Sequence, residues 1–479
     1  MLFRSVDRLS IESTYFDGIY RPVQLVRRAS SPTEKDVISI LSYNWYGSPI
    51  KQYLPYTISS QGGYRTAAIS EQQSFYNTHY SGEGSYANTT NEYEESPLQR
   101  VTKEYIQGSA YSSSTRATIY TYSVNTSAEV RRWTINTAGT SLINSGTYAA
   151  GALQKVTITD ADNRVSIVYT NKQGKVVERR DGESASLVTS YVYDNNQRIA
   201  FVISPKAQQE VLDNPSNTAL CFHYLYDNRN RIIEQYIPGK GVTYNVYDAG
   251  NRLVFSQDPN LRTVNKWHFL RYDNLSRELV SGLVSYASSA SSLRSSYAQV
   301  SYSEVKTSDA GNLAGYTNTS QPLNISENDL LNVVWYDNYI QTDKTSFTAM
   351  GSDVGQPTGY NPLTAPYGMV TGGKTKVLDG NEHTANAIWL INTNYYNNLD
   401  RLVQSVTQTY TGNDKGMERT STAYRHKGEI YATKSQNTAS GVTTTVLTQR
   451  KYDAQGRLIR AWNSINGESP VTENNLTYD

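Results

Sequence analysis

The sequence predicts an all-β fold: repeated antiparallel β-hairpins that together form a curved or spiral sheet. Three observations predict it. A short Tyr-Asp unit recurs along the chain. The residue three places after its Asp is one that tolerates a left-handed backbone in six of eight copies. Tyrosine dominates the aromatics, with 40 residues against 8 Phe and 6 Trp. A tyrosine has an apolar ring and a polar tip, so it suits a wall with a wet side. Hydrophobic residues make up 38%, low for a compact ball of this length and fitting for a sheet with two partly solvated faces. So many aromatics also argue against a disordered chain.

The clearest unit is Tyr452-Asp453-Ala454-Gln455-Gly456-Arg457-Leu458-Ile459. Asp453 fits the first position of a type I turn, where its carboxylate can accept backbone N–H bonds. Gly456 fits the fourth, where a three-residue hairpin loop needs φ > 0. Tyr452 and Leu458 are strand formers on either side. Arg457 is placed to lie across the hairpin near Tyr452 or Asp453.

The same pattern reads Tyr247-Asp248 with Arg252, Tyr226-Asp227 with Arg231, Tyr193-Asp194 with Arg198, and Tyr272-Asp273 with Arg277. Weaker copies begin at Asp160, Asp309 and Asn397. Tyr226, Tyr247 and Tyr272 lie 21 and 25 residues apart, and Tyr452 and Tyr478 lie 26 apart. That spacing suits one hairpin per unit with connections of variable length, and internal repetition points to one extended architecture.

In chain order, residues 1–60 read as paired strands with two divergent copies, Tyr15-Phe16-Asp17-Gly18 and Tyr43-Asn44-Trp45-Tyr46-Gly47. Residues 60–100 are polar, and Glu71–Tyr76 is the best place there for a short helix or an ordered loop. Residues 101–200 alternate strand runs, such as Val165–Tyr169, with turns such as Asn171–Gly174. Pro205–Leu212 reads as a helix closed by Asn214-Pro215. Residues 285–296 are Ser- and Ala-rich and read as a loop. Val333–Asp337 reads as a strand, 343–375 as irregular, and strands resume at Ala387. The expected divisions are an N-terminal β domain (1–190), core repeats (191–284), an irregular insertion with strands (285–390) and C-terminal repeats (391–479). The last two residues, Tyr478-Asp479, open another unit, so the sequence reads as a piece of a longer protein.

Charge excludes some functions. With 44 basic and 43 acidic residues the formal net charge is +1, and there is no long basic run to attract nucleic acid or an anionic membrane. No stretch approaches the ~20 apolar residues of a membrane span. Met1-Leu2-Phe3-Arg4 is followed by polar residues, without a signal-peptide pattern. An export signal would lie outside this sequence. The lone Cys221, beside Phe222, reads as a buried, inert thiol. His79, His223, His268, His383 and His426 are not at metal-ligand spacing, so no cofactor or metal is expected. Gly62-Gly63 and Gly372-Gly373 read as loop glycines. An Asp repeated at every turn reads as a turn residue, because acid–base catalysis needs one positioned pair.

The chain resembles the RHS/YD-repeat family of large bacterial proteins. The branch is the one whose secreted or surface chains open with a conserved domain of unknown function. The resemblance rests on the Tyr-Asp units together with Asp17-Gly18 and Arg21–Gln24, Tyr53-Leu54-Pro55-Tyr56, Tyr93–Leu98, Tyr191–Asp194, Ile237-Pro238-Gly239, Ser256-Gln257-Asp258, and Tyr395-Tyr396-Asn397 with Arg401–Gln404. It implies a β-sheet spiral closing as a hollow shell around a C-terminal domain, often a toxin. The family includes insecticidal toxin-complex subunits, interbacterial effectors and teneurins. Its shells usually end in a self-cleavage motif of the form DPxGL. Asp258-Pro259-Asn260-Leu261 lacks the Gly, sits mid-chain, and reads as a turn.

The expected function is therefore a non-catalytic structural segment of such a shell, secreted or at the cell surface. Its partner would be a C-terminal effector or toxin domain of the same longer chain in a polymorphic toxin system. The residues expected to carry it are structural. Asp194, Asp227, Asp248, Asp273, Asp453 and Gly456 set turns, while Tyr193, Tyr226, Tyr247, Tyr272 and Tyr452 form a ladder with Arg198, Arg231, Arg252, Arg277 and Arg457. In that ladder each Tyr packs against the Arg of the next repeat by cation–π contact. The alternative is a surface adhesin whose Tyr-rich face binds glycan or a neighbouring cell. An enzyme acting on polysaccharide is the weakest reading, since no isolated acid pair stands out.

Overall fold

The computed structural model describes residues 11–59, 62–307, 313–321, 325–350, 362–411, 414–453 and 456–476. Met1–Arg4, residues 309–312 of the weak copy at Asp309, Ala454-Gln455 of the clearest unit, and the closing Tyr478-Asp479 lie outside the described residues. Two compact units divide at Lys240/Gly241.

In the first unit the strands Glu12–Phe16, Pro22–Arg27, Asp36–Tyr43, Pro49–Ile58, Asn88–Tyr93, Val101–Tyr105 and Thr118–Val124 pair antiparallel in sequence order. The sheet then passes to Gln154–Thr159, stepping over a separate hairpin of Arg131–Ile135 and Leu142–Thr147. It continues through Val165–Thr170, Val176–Asp181, Leu187–Tyr193, Ile199–Ile203, Cys221–Tyr226 and Ile232–Ile237. The second unit repeats the scheme from Gly241–Tyr247 and Leu253–Gln257 through Lys266–Tyr272, Glu278–Ser285, Leu330–Tyr336, Val370–Lys376 and Trp389–Tyr396. Longer strands follow, Leu402–Thr411, Asp414–Tyr424, Ile430–Ala439, Val442–Tyr452 and Leu458–Ile465, and then Val471–Asn475.

The turns explain the register. Pairing slips by one residue just before each Asp-led turn, at Val192/Tyr193, Leu225/Tyr226, Val246/Tyr247, Arg271/Tyr272 and Lys451/Tyr452. A type I turn followed by one left-handed residue leaves such a bulge. The left-handed residues are Gln197, Asn230, Asn251, Ser276 and Gly456, with φ between 62° and 82°.

Side chains alternate between the faces of a strand. The residue before the Tyr falls on the buried face at Val192, Val246, Arg271, Trp335, Tyr395 and Ala423, and the Tyr falls on the other. The excursions between hairpins cover that buried face. Helix Ala68–His79 places Ala68 against Val26, Ile38, Ile40, Tyr53 and Tyr56. Helix Gln208–Asp213 and the separate hairpin bring Val211, Trp133 and Leu142 onto Val192, Phe201 and Cys221. Helix Ala290–Tyr297 sets Leu293 and Tyr297 on Phe255, Trp267 and Trp335.

Three local readings are corrected. Residues 285–296 are not all loop: Ser289 Oγ accepts the Ser292 N–H at 3.2 Å and starts the helix Ala290–Tyr297. Leu293 and Tyr297, four apart, anchor one helical face, a signal that Ser/Ala-rich composition conceals. Asp258–Leu261 is not a simple turn: Asp258 caps a short helix, Pro259–Thr263, with Pro at its first turn. Gly372 and Gly373 lie in the strand Val370–Lys376, where added Cβ atoms would sit 2.3 Å from Asn392 O and 2.5 Å from Val333 O. The strands approach too closely there for any side chain.

Candidate functional site

The site is a ladder along the turns, built one hairpin at a time. At Asp194, Oδ1 accepts the N–H groups of Asn196 and Arg198, both at 2.9 Å, and Oδ2 accepts Arg198 Nε–H at 2.7 Å. The same Nε–H···Oδ2 bond joins Arg231 to Asp227 at 2.7 Å, Arg252 to Asp248 at 2.8 Å, Arg277 to Asp273 at 2.6 Å and Arg457 to Asp453 at 2.6 Å. The divergent first copy does the same with Arg21 and Asp17, at 2.7 Å. One carboxylate therefore closes the turn through one oxygen and orients an arginine through the other.

Three of these arginines, Arg198, Arg252 and Arg277, reach the following hairpin. The Arg198 guanidinium lies 4.5 Å over the Tyr226 ring and donates to Asp227 O at 3.1 Å. Arg252 lies 5.1 Å over Tyr272 and donates to Asp273 O at 3.2 Å. Arg277 lies 4.3 Å over Tyr336 and grips both oxygens of Asp337, at 2.9 and 2.6 Å. The rings of Tyr226, Tyr272 and Tyr336 thus meet the Arg of the preceding repeat, opposite to the order expected from sequence. The reason is topological. Arg198 immediately precedes the returning strand Ile199–Ile203, and that strand is the one Cys221–Tyr226 pairs with, so Arg198 falls beside Tyr226.

The tyrosine hydroxyls form a second set of ties, not anticipated from the sequence. Tyr226 OH donates to Ile199 O at 2.9 Å, Tyr272 to Leu253 O at 2.7 Å, Tyr193 to Val176 O at 2.8 Å and Tyr452 to Ile430 O at 2.7 Å. Tyr43, Tyr93, Tyr122, Tyr396 and Tyr424 bond in the same way to Pro22, Pro49, Val101, Val370 and Leu402. Every acceptor is the first residue of the preceding hairpin's returning strand. The available signal was the excess of Tyr over Phe: a phenyl ring fills the same space but cannot make this bond. Tyr247 ends the strand Gly241–Tyr247, and Asp248 beside it is buried.

Electrostatics follow the geometry. Burial pushes the Tyr272 hydroxyl up to about 12, and it raises those of Tyr193 and Tyr226. For Asp194 burial opposes ionisation, but the Arg198 side chain and amide outweigh it and hold the carboxyl below its ordinary value. Asp227 is held low in the same way by Arg231 and Arg229.

Sequence reasoning also missed a buried ion pair. Arg271 Nη1 lies 3.0 Å from Glu304 Oε1, with both side chains almost wholly buried. Glu304 also accepts the Ser320 N–H at 2.8 Å, and Arg271 donates to Asn318 at 2.7 Å. The signal was absent because the partners lie 33 residues apart. His223 stacks on Phe201 at 4.1 Å with its Nε2 2.8 Å from Gly139 O, and burial lowers its pKa. Cys221 is buried and its thiol is pushed up to about 11 by that burial, which disfavours a nucleophilic thiolate. Among the described residues no three His, Cys, Asp or Glu groups are placed to hold a metal ion, and no helix is long and apolar enough to cross a membrane.

This arrangement defines a class: an antiparallel hairpin-repeat sheet whose units are tied to one another along the turns. A family described as a domain of unknown function, DUF6443, matches residues 3–124. A search of curated proteins finds no match. Among solved structures the fold is similar to the "Crystal Structure of TcdB2-TccC3-TEV", with TM-score 0.54 and 12% identity over 95% of this chain. It is also similar to the "Crystal Structure of TcdB2-TccC3-Cdc42", with TM-score 0.52 and 12% identity over 96% of this chain. The likeness is one of fold, and this chain spans 18% of the length of each of those chains.

Proposed function

We propose that this chain is a non-catalytic wall segment of an RHS/YD-repeat shell, secreted or at the cell surface, that encloses a C-terminal effector or toxin domain of the same longer chain. The observation that carries this reading is the recurrence of one interlock at successive hairpins: Asp orients Arg, Arg covers the next Tyr, and Tyr ties back. Catalysis needs one constellation in one place, whereas a wall needs the same joint many times. The mechanism is steric: the effector stays inaccessible until delivery. Tyr226 and Tyr272 spend their hydroxyls on backbone carbonyls and a ring face on a guanidinium group, which leaves them poorly placed to stack on glycan. That weighs against the adhesin reading.

The test is native proteolysis of the complete open reading frame that contains this chain. The downstream domain should resist trypsin while the wall is folded, and become cleavable when the Tyr226→Phe and Tyr272→Phe changes are combined. A downstream domain cut as fast in the intact protein as in isolation would overturn the reading.

A further inference from the structure

Within the first unit, the turns 17–21, 44–48 and 94–100 lie side by side along one edge of the sheet. Arg21 Nη1 reaches Asn44 O at 3.5 Å, and Asn44 Nδ2 donates to Gln99 Oε1 at 2.9 Å. Their tips carry Ile19, Tyr20, Trp45, Tyr46 and Leu98, exposed by 68, 89, 95, 66 and 71%. Further along the same edge, the turns built in the same way carry Lys172-Gln173, Asn195-Asn196 and Asn228-Arg229. Tip positions of such a turn accept most residues, so the fold does not require the apolar ones. Tyr20 sharpens the contrast. It holds φ at +62°, in the turn position that Gly47, Gly174, Gln197 and Asn230 occupy elsewhere in the unit. A bulky side chain is disfavoured there, and Tyr20 is exposed with no packing in return. A strained, solvent-facing aromatic is a reason to look for function.

We propose that these three tips form a membrane-docking edge that inserts into the interfacial layer of a zwitterionic bilayer. Three features select this occupant. The tips project as separate apolar points, which a lipid interface accepts without the complementary pocket that a protein partner must supply. Trp and Tyr suit the headgroup level, while Ile and Leu suit the layer just beneath it. The charge also matches: Arg21 is paired with Asp17 and Arg100 with Glu94, and Glu95 is exposed beside Leu98, so these turns offer anionic lipid no net attraction. Aliphatic Ile19 and Leu98 fit a sugar-stacking platform poorly. The inference does not rest on the wall reading: a free-standing domain with these tips would bind lipid equally.

The test is flotation of the purified chain with phosphatidylcholine vesicles, read also by the emission of Trp45 as the difference between wild type and Trp45→Phe. The expected result is co-flotation, a blue shift assigned to Trp45, and at least a tenfold loss of partitioning when Tyr20, Trp45 and Leu98 are all changed to Ser. Because the three side chains are exposed, the variant should keep its far-UV spectrum and melting temperature. Asn195→Ser with Asn228→Ser, at the polar tips, should leave partitioning unchanged. No flotation of wild type, equal flotation of the triple variant, or flotation only with phosphatidylserine would overturn the proposal. So would concentration-dependent self-association, or glycan-array binding, that the triple variant alone abolishes in the absence of lipid.

Discussion

Tyr272 shows what one side chain contributes to the ladder. Its ring lies under Arg252, and its hydroxyl bonds to Leu253 O at 2.7 Å. Tyr272→Phe keeps the ring and removes only that bond, so it should cost about 1 kcal/mol; the shift in urea midpoint measures it. Gly456 illustrates backbone control. At φ +82°, Gly456→Val should destabilise its hairpin by about 1 kcal/mol or more, because a β-branched residue is strained there. Gly456→Asn should cost far less, since Asn251 and Asn230 hold the equivalent conformation. Equal melting temperatures for Gly456→Val and wild type would show that the turn does not limit stability.

Elements matter where an excursion is locked onto the sheet. The strand Lys266–Tyr272 offers Arg271 on its buried face, and Glu304, beyond the helix Ala290–Tyr297, meets it. Removing one partner of a buried pair leaves the other charge uncompensated. Glu304→Ala should therefore cost roughly 3–5 kcal/mol, visible as an earlier unfolding step in denaturant followed by tryptophan emission, since Trp267 and Trp335 share that core. Excursions were the least legible part of the sequence. Pro205–Leu212 announced a helix and Glu71–Tyr76 a helix or an ordered loop, and helices stand at Gln208–Asp213 and Ala68–His79. The Ser-rich stretch before Leu293 did not, because its helix depends on a cap and on two anchors that find partners only in the folded core.

For the whole molecule, repetition turns single residues into a collective property, since each hairpin's stability depends on its neighbours. Acid should expose this. Asp194 and Asp227 have carboxyls held below their ordinary value in the fold. The unfolded chain thus takes up protons first as pH falls, and the stability these groups provide is present above about pH 4 and lost as pH drops through their depressed folded values. Urea midpoints taken from pH 6 to pH 2 should fall below about pH 4, and Asp194→Asn with Asp227→Asn should flatten that fall. An equally steep fall in the double variant would assign the acid sensitivity to other carboxylates.

By itself the sequence determined the hairpin: an Asp that can bind its own turn, a residue free to take positive φ, and strand formers on either side are all local, within eight positions of one another. Only the tertiary structure decided what each hairpin is tied to. That Arg198 covers Tyr226, that Tyr226 reaches back to Ile199, and that Arg271 meets Glu304 depend on register between strands and on where excursions land. Those distances are set by the assembled sheet, and no short stretch of sequence contains them.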